Sequence, residues 1–126
     1  MTRILLVEDE DLLRAGVQEI LEHNGYTVVE ASNGEQALEL MAASPVALVI
    51  TDLVMPKMSG IDFIQRAMQQ FPGLPVIVAS GSPNAVMKRM GIDSIHVPGA
   101  AASIMKPFRA VDLLALVQSV LSETGR

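Results

Sequence analysis

Ala47-Leu48-Val49-Ile50-Thr51-Asp52 is an apolar run of strand length that stops at a single carboxylate. Its aliphatic residues do not alternate with polar ones, which predicts a strand buried on both faces, as in parallel sheets. The following loop, Leu53-Val54-Met55-Pro56-Lys57-Met58-Ser59-Gly60, is rich in breakers, so Asp52 stands where the chain leaves a core and its side chain can meet solvent. A lone Asp in such a place usually forms a turn. The segments on either side decide whether this one does more.

Upstream, Arg3-Ile4-Leu5-Leu6-Val7 reads as a second doubly buried strand, ending in the consecutive acids Glu8-Asp9-Glu10-Asp11. Acids at the start of a helix favour its positive dipole end, which accounts for Glu10 and Asp11. Leu13, Gly16, Val17, Ile20, Leu21 and Asn24 recur at helical spacing from Leu12 onward, and Gly25 stops that helix. Tyr26 to Ala31 is the next strand. Asn33 with Gln36 three residues later is the signature of a capping box, opening a helix that turns Ala37, Leu38 and Met41 inward and ends before Pro45.

Downstream of Asp52, a helix begins between Ser59 and Ile61 and runs through Ile64, Ala67 and Met68 to about Gln70, closed by Phe71-Pro72-Gly73. Leu74 to Ala79 is a strand leading to Ser80-Gly81-Ser82-Pro83. Two placements compete next: a short helix over Asn84 to Met90 stopped by Gly91, or a loop there with the helix at Ile92 to Val97 before Pro98. Ala102 to Met105 is the last strand and delivers Lys106-Pro107-Phe108. A final amphipathic helix uses Val111, Leu114, Ala115, Val117, Gln118 and Leu121.

The 126 residues suit one domain over 1–126, long enough to bury roughly two-thirds of its extended surface. Half of the chain is apolar, yet no apolar run reaches the roughly 18 residues of a membrane span, and acids interrupt the N-terminal run too early for a signal peptide. A cytoplasmic protein without membrane contact is expected. With no cysteine, thiolate chemistry is excluded and any metal must be oxygen-bound. A net charge of −5, with no basic cluster among aromatics, argues against direct nucleic-acid binding. Three Phe, one Tyr and no Trp leave an aliphatic core, with eight Met as gap fillers.

Alternating strands and helices imply an α/β three-layer sandwich: a parallel sheet with helices on both faces and function at the carboxyl ends of the strands. Glu8 and Asp9, Asp52, Ser80 and Lys106 each follow a strand. Three carboxylates sharing one cleft do not all stay ionised cheaply without a cation, and an all-oxygen donor set suits Mg²⁺. Three carboxylates, Mg²⁺ and the Lys106 ammonium sum to about zero formal charge, which leaves room for a phosphoryl group. Asp52 can then act as an in-line carboxylate nucleophile, with Ser80 as a hydroxyl partner and Gly81 leaving the approach open.

These pieces together resemble the receiver domain of two-component response regulators: an acidic pair after the first strand, Asp52 through Gly60, Ser80-Gly81 and Lys106-Pro107. The resemblance covers essentially the whole chain. It implies a flavodoxin-like, five-stranded parallel sheet in the order 2-1-3-4-5, with Asp52 as phosphoacceptor. It further implies Mg²⁺ held by Glu8, Asp9 and Asp52, one of the first two through water, together with the backbone carbonyl of Val54. Ser80 is the hydroxyl that moves onto the phosphoryl group, Lys106 its counter-ion, and the Lys106-Pro107 bond is cis. The implied partners are a histidine kinase or histidine phosphotransfer protein as donor and a downstream protein as target, with the last helix and its neighbouring strand as homodimer surfaces.

Three positions depart from the family pattern. Ser103 stands where an aromatic switch residue is common, Val54 is apolar where a polar side chain often tunes phosphoryl lifetime, and residues 90–99 look expanded. Two rival functions follow. An aspartyl-phosphate phosphatase would want a second acid at position 54. A phosphorylation-independent docking module would leave the acid cluster idle.

Overall fold

The computed structural model describes residues 2–53, 55, 57–80 and 100–123, the side chain of Ser80 excepted. Each β1 to β3 strand is followed by a helix: β1 (Arg3–Val7), α1 (Asp11–His23), β2 (Thr27–Ala31), α2 (Gly34–Ala43), β3 (Leu48–Thr51) and α3 (Gly60–Gln70). Then come β4 (Val76–Ser80), β5 (Ala102–Met105) and α4 (Ala110–Glu123). The strands form one parallel sheet in the order β2-β1-β3-β4-β5. Both competing helix placements between Asn84 and Val97, and the expanded 90–99 stretch, lie outside the described residues.

Alternate residues of the central strands enter two separate cores, which explains why those strands read as continuous apolar runs. Leu5, Val7, Val49 and Val78 pack with Ala37 and Met41 of α2 and Phe63, Ile64 and Ala67 of α3. Ile4, Leu6, Leu48, Ile50 and Ile77 pack on the other face with Val17 and Leu21 of α1 and Leu113, Val117 and Val120 of α4. Among the described residues no helix is long and apolar enough to cross a membrane.

Helix boundaries follow local chemistry. Gly25, at φ 94°, turns the chain after α1 in a left-handed conformation that other residues rarely adopt. Asn33 caps α2 by accepting from the Gln36 N–H at 2.9 Å. The reciprocal bond of the capping box is displaced by one residue, since the Gln36 side chain accepts from Ser32 N rather than from the cap's own N–H. Ser59 caps α3 by accepting from Asp62 N at 3.1 Å.

Two helix faces differ from the expectation. In α3 Ile64 and Ala67 are buried as expected and Phe63 joins them, while Met68 is 44% exposed. In α4 the buried stripe is Leu113, Val117 and Val120, and Val111 is 61% exposed. Leu113-Leu114-Ala115-Leu116-Val117 is apolar at every position, so periodicity alone does not fix which phase faces the sheet. The fourth strand also begins later than expected, at Val76, with Pro75 before it contributing only its carbonyl, to Val49 N.

Candidate functional site

The parallel ladder continues one residue past β1 and β3, and this sets the two central acids side by side. Glu8 N donates to Ala31 O of β2 at 3.0 Å, and Asp52 N donates to Val7 O of β1 at 3.3 Å. Val7 itself pairs with Thr51. Both carboxylates therefore leave the sheet at its carboxyl edge on adjacent strands.

Lys106, one residue beyond β5, joins them. Its Nζ donates to Glu8 Oε1 at 2.7 Å and to Asp52 Oδ2 at 2.8 Å. The other oxygen of each acid is held by backbone: Glu8 Oε2 accepts from Glu10 N at 3.1 Å, and Asp52 Oδ1 from Leu53 N at 2.6 Å. The three side chains are only 6%, 12% and 14% exposed for Glu8, Asp52 and Lys106. Little solvent screens the group, so these ion pairs are stronger than surface ones.

Titration behaviour reflects this enclosure. Burial pushes the Glu8 carboxyl above its ordinary value, and the nearby Asp52 charge adds to the rise, against the opposing pull of Lys106 and Glu10 N–H. Burial acts on Lys106 in the opposite sense, but hydrogen bonds and charge attraction from Asp52 and Glu8 outweigh it and hold the ammonium above the ordinary lysine value.

Asp9 completes the cluster from the solvent side, where it is exposed. Glu8, Asp9 and Asp52 each offer a carboxylate oxygen, and these atoms lie within 4.8 Å of one another. That donor set is all oxygen and open on one side, which fits a hard divalent cation that keeps several waters. The Lys106–Pro107 peptide bond is cis. Ser103 lies in β5 opposite Val78 and is half-buried. Val54, the Ser80 side chain and Gly81 lie outside what the structure describes.

Two contributors to the site were not singled out from the sequence. Gly60 gives its N–H to Leu53 O at 2.7 Å, and a Cβ there would sit 2.3 Å from Asp52 O and 2.5 Å from Leu53 Cα. Only a glycine lets the start of α3 come this close to the backbone behind Asp52. Arg14 of α1 holds the acid loop by donating to Glu8 O at 2.7 Å. Its spacing of three from Asp11 is visible in the sequence, whereas its contact with the loop carbonyl requires the fold.

An open parallel sheet in the order 2-1-3-4-5, with acids and a lysine gathered at its carboxyl edge, defines a class of α/β proteins whose site sits at a topological switch point. Within that class the chain belongs to the response regulator receiver domain family, whose model matches residues 4–118. It is 35% identical over 121 residues to the transcriptional regulatory protein CpxR of Escherichia coli (strain K12), covering 96% of this chain and 50% of CpxR. It is 36% identical over 121 residues to the response regulator receiver protein CpdR of Brucella abortus (strain 2308), covering 96% of this chain and 98% of CpdR. The chain thus spans about half the length of CpxR and nearly all of CpdR. A CheY-like receiver domain protein from Methanospirillum hungatei JF-1 superposes with a TM-score of 0.83 at 29% identity, over 98% of this chain and 96% of that one. The chain is a receiver domain of two-component systems, with the flavodoxin-like sheet order of its structural neighbours.

Proposed function

We propose that residues 1–126 form one receiver domain that accepts a phosphoryl group on Asp52 and signals by changing how it docks to another protein. The observation that carries this is the convergence of Glu8, Asp9, Asp52 and Lys106 at one edge of the sheet. The donor is the phosphohistidine of a histidine kinase or phosphotransfer protein. A carboxylate oxygen of Asp52 attacks phosphorus, the bond to the histidine nitrogen breaks, its electron pair leaves with the imidazole, and an acyl phosphate results. Lys106 supplies a positive charge next to the reacting carboxylate, and the protein's part is positioning rather than turnover of a separate substrate.

Mg²⁺ fits the donor set of Glu8, Asp9 and Asp52, with the Val54 carbonyl as a further ligand by family resemblance. When bound it would offset charge on the incoming phosphoryl oxygens. By the same resemblance Ser80 meets the phosphoryl group, Gly81 leaves it room, and Lys106-Pro107 with Ser103 belongs to the part of β5 that responds. The domain acts in the cytoplasm, away from membranes and without touching nucleic acid itself. Its target is a protein, and a second copy could use the α4 and β5 surface.

Intact mass after incubation with Mg²⁺ and a small-molecule phosphodonor tests the reading. Wild type should gain one phosphoryl group, while Asp52→Asn and a chelated sample gain none. A wild type that stays unlabelled where an ordinary receiver is labelled would shift the function to docking independent of phosphorylation.

A further inference from the structure

The guanidinium of Arg14 uses three nitrogens on three different segments. Nη1 donates to the backbone carbonyl of Glu8 at 2.7 Å, Nη2 to Asp11 Oδ1 at 2.7 Å, and Nε to Glu30 Oε1 at 3.2 Å. Asp11 is the first residue of α1, and Glu30 lies on β2 opposite Leu6 of β1. One side chain thus ties the first turn of a helix, the loop that bears the acids, and the edge strand beside it. It is 19% exposed, and its planar fork is suited to holding several acceptors at fixed angles.

The carbonyl that Arg14 holds belongs to the Glu8–Asp9 peptide. That peptide unit is planar, so fixing its oxygen also fixes the direction in which the chain enters Asp9. Glu8 is secured independently through Lys106 and Glu10 N, and Asp52 through Lys106 and Leu53 N. Asp9 is the exposed member of the acid set, and among the described residues no hydrogen bond or ion pair holds its carboxylate. Its placement therefore depends on the backbone, and the backbone there is held by Arg14.

We infer that Arg14 is a positioning residue for the metal site, presenting Asp9 toward Asp52 by clamping the Glu8–Asp9 peptide. The inference rests on the reading of Glu8, Asp9 and Asp52 as a Mg²⁺ site. It makes a prediction opposite in sign to simple electrostatics. Removing the guanidinium leaves the neighbourhood one charge more negative, which by Coulomb attraction alone would tighten a divalent cation. Loss of positioning weakens it instead.

The test is Mg²⁺ titration by calorimetry on folded wild type, Arg14→Gln, Arg14→Lys and Asp9→Asn, with urea unfolding of each in chelator as the measure of stability. Arg14→Gln should bind Mg²⁺ about tenfold more weakly than wild type, and Arg14→Lys, which keeps the charge but not the three-way fork, about threefold more weakly. Should Arg14→Gln fail to fold, Arg14→Lys decides by the same comparison. Unchanged or tighter Mg²⁺ binding with a lowered urea midpoint would make Arg14 a stabilising residue only and overturn the assignment. If wild type and Asp9→Asn both fail to bind, the metal reading itself falls, and the role of Arg14 with it.

Discussion

Lys106 Nζ lies 2.7 Å from Glu8 Oε1, a contact between residues 98 positions apart that is as short as any ion pair described in the molecule. Asp52 shares the same ammonium at 2.8 Å. Lys106 is therefore a structural counter-ion for a buried acid before any chemistry at Asp52 is considered. Replacing it by Met leaves Glu8 enclosed and uncompensated. Lys106→Met should lower stability in chelator by about 3 kcal/mol, as expected for removing one partner of a buried pair. Urea unfolding measures this, and Glu8→Gln combined with Lys106→Met should recover part of the loss. A single-variant cost below about 0.5 kcal/mol, typical of surface pairs, would contradict it.

The pH dependence of stability should carry two signatures with the same sign. Glu8 has a folded-state value above its ordinary 4.5, so the folded protein holds that proton more tightly than the unfolded chain. Its contribution is present at low pH and lost as pH rises from 4.5 through the folded value. Lys106 likewise lies above its ordinary 10.5, so its contribution persists up to that pH and is lost as pH climbs beyond it. Urea midpoints in chelator should show the acid-range change vanish in Glu8→Gln and the alkaline change vanish in Lys106→Met.

Gly60→Ala tests the close approach behind Asp52. The added Cβ meets the Asp52 carbonyl at 2.3 Å, and its nearest neighbours are backbone atoms that cannot rotate aside. A loss of about 2 kcal/mol is expected from the forced shift, together with slower labelling by a phosphodonor because the shift falls on the Asp52–Leu53 peptide. Normal stability and normal labelling would mean that the loop relaxes freely.

Lys57 adopts φ 72°, the left-handed region, in the loop after Asp52. Lys57→Gly should raise stability by about 0.5 kcal/mol, since relief of side-chain strain exceeds the added freedom of the unfolded chain. Lys57→Val, branched at Cβ, should lower it by about 1 kcal/mol or more. Thermal unfolding of the pair gives the difference directly.

The central strands and the residues at their ends were legible because doubly buried strands are written as unbroken aliphatic runs that stop at a polar residue, whereas the order 2-1-3-4-5 came from the resemblance to receiver domains and not from those runs. Glu8, Asp9 and Asp52 were legible at the ends of such runs, Lys106 by its place at a strand end before Pro107, and the structure brings these four together. The phase of α4 was not, because Leu113 to Val117 is apolar at every position and only the sheet below selects Leu113 and Val117. In α3 the helical spacing marked Ile64 and Ala67, which are buried, but not Phe63, which packing of the helix against α2 and the sheet turns inward. Arg14 was illegible because its partners Glu8 O and Glu30 become neighbours only when β1 and β2 pair.

The reach of Lys106 ties the edge of the sheet to its middle. β5 is the outermost strand on its side, whereas Glu8 and Asp52 stand beyond β1 and β3, and β4 lies between. One ammonium spans that intervening strand to meet both carboxylates. Any displacement of β5 against β4 must therefore lengthen or redirect the two contacts together, so the edge strand and the central acids move as partners rather than as separate parts.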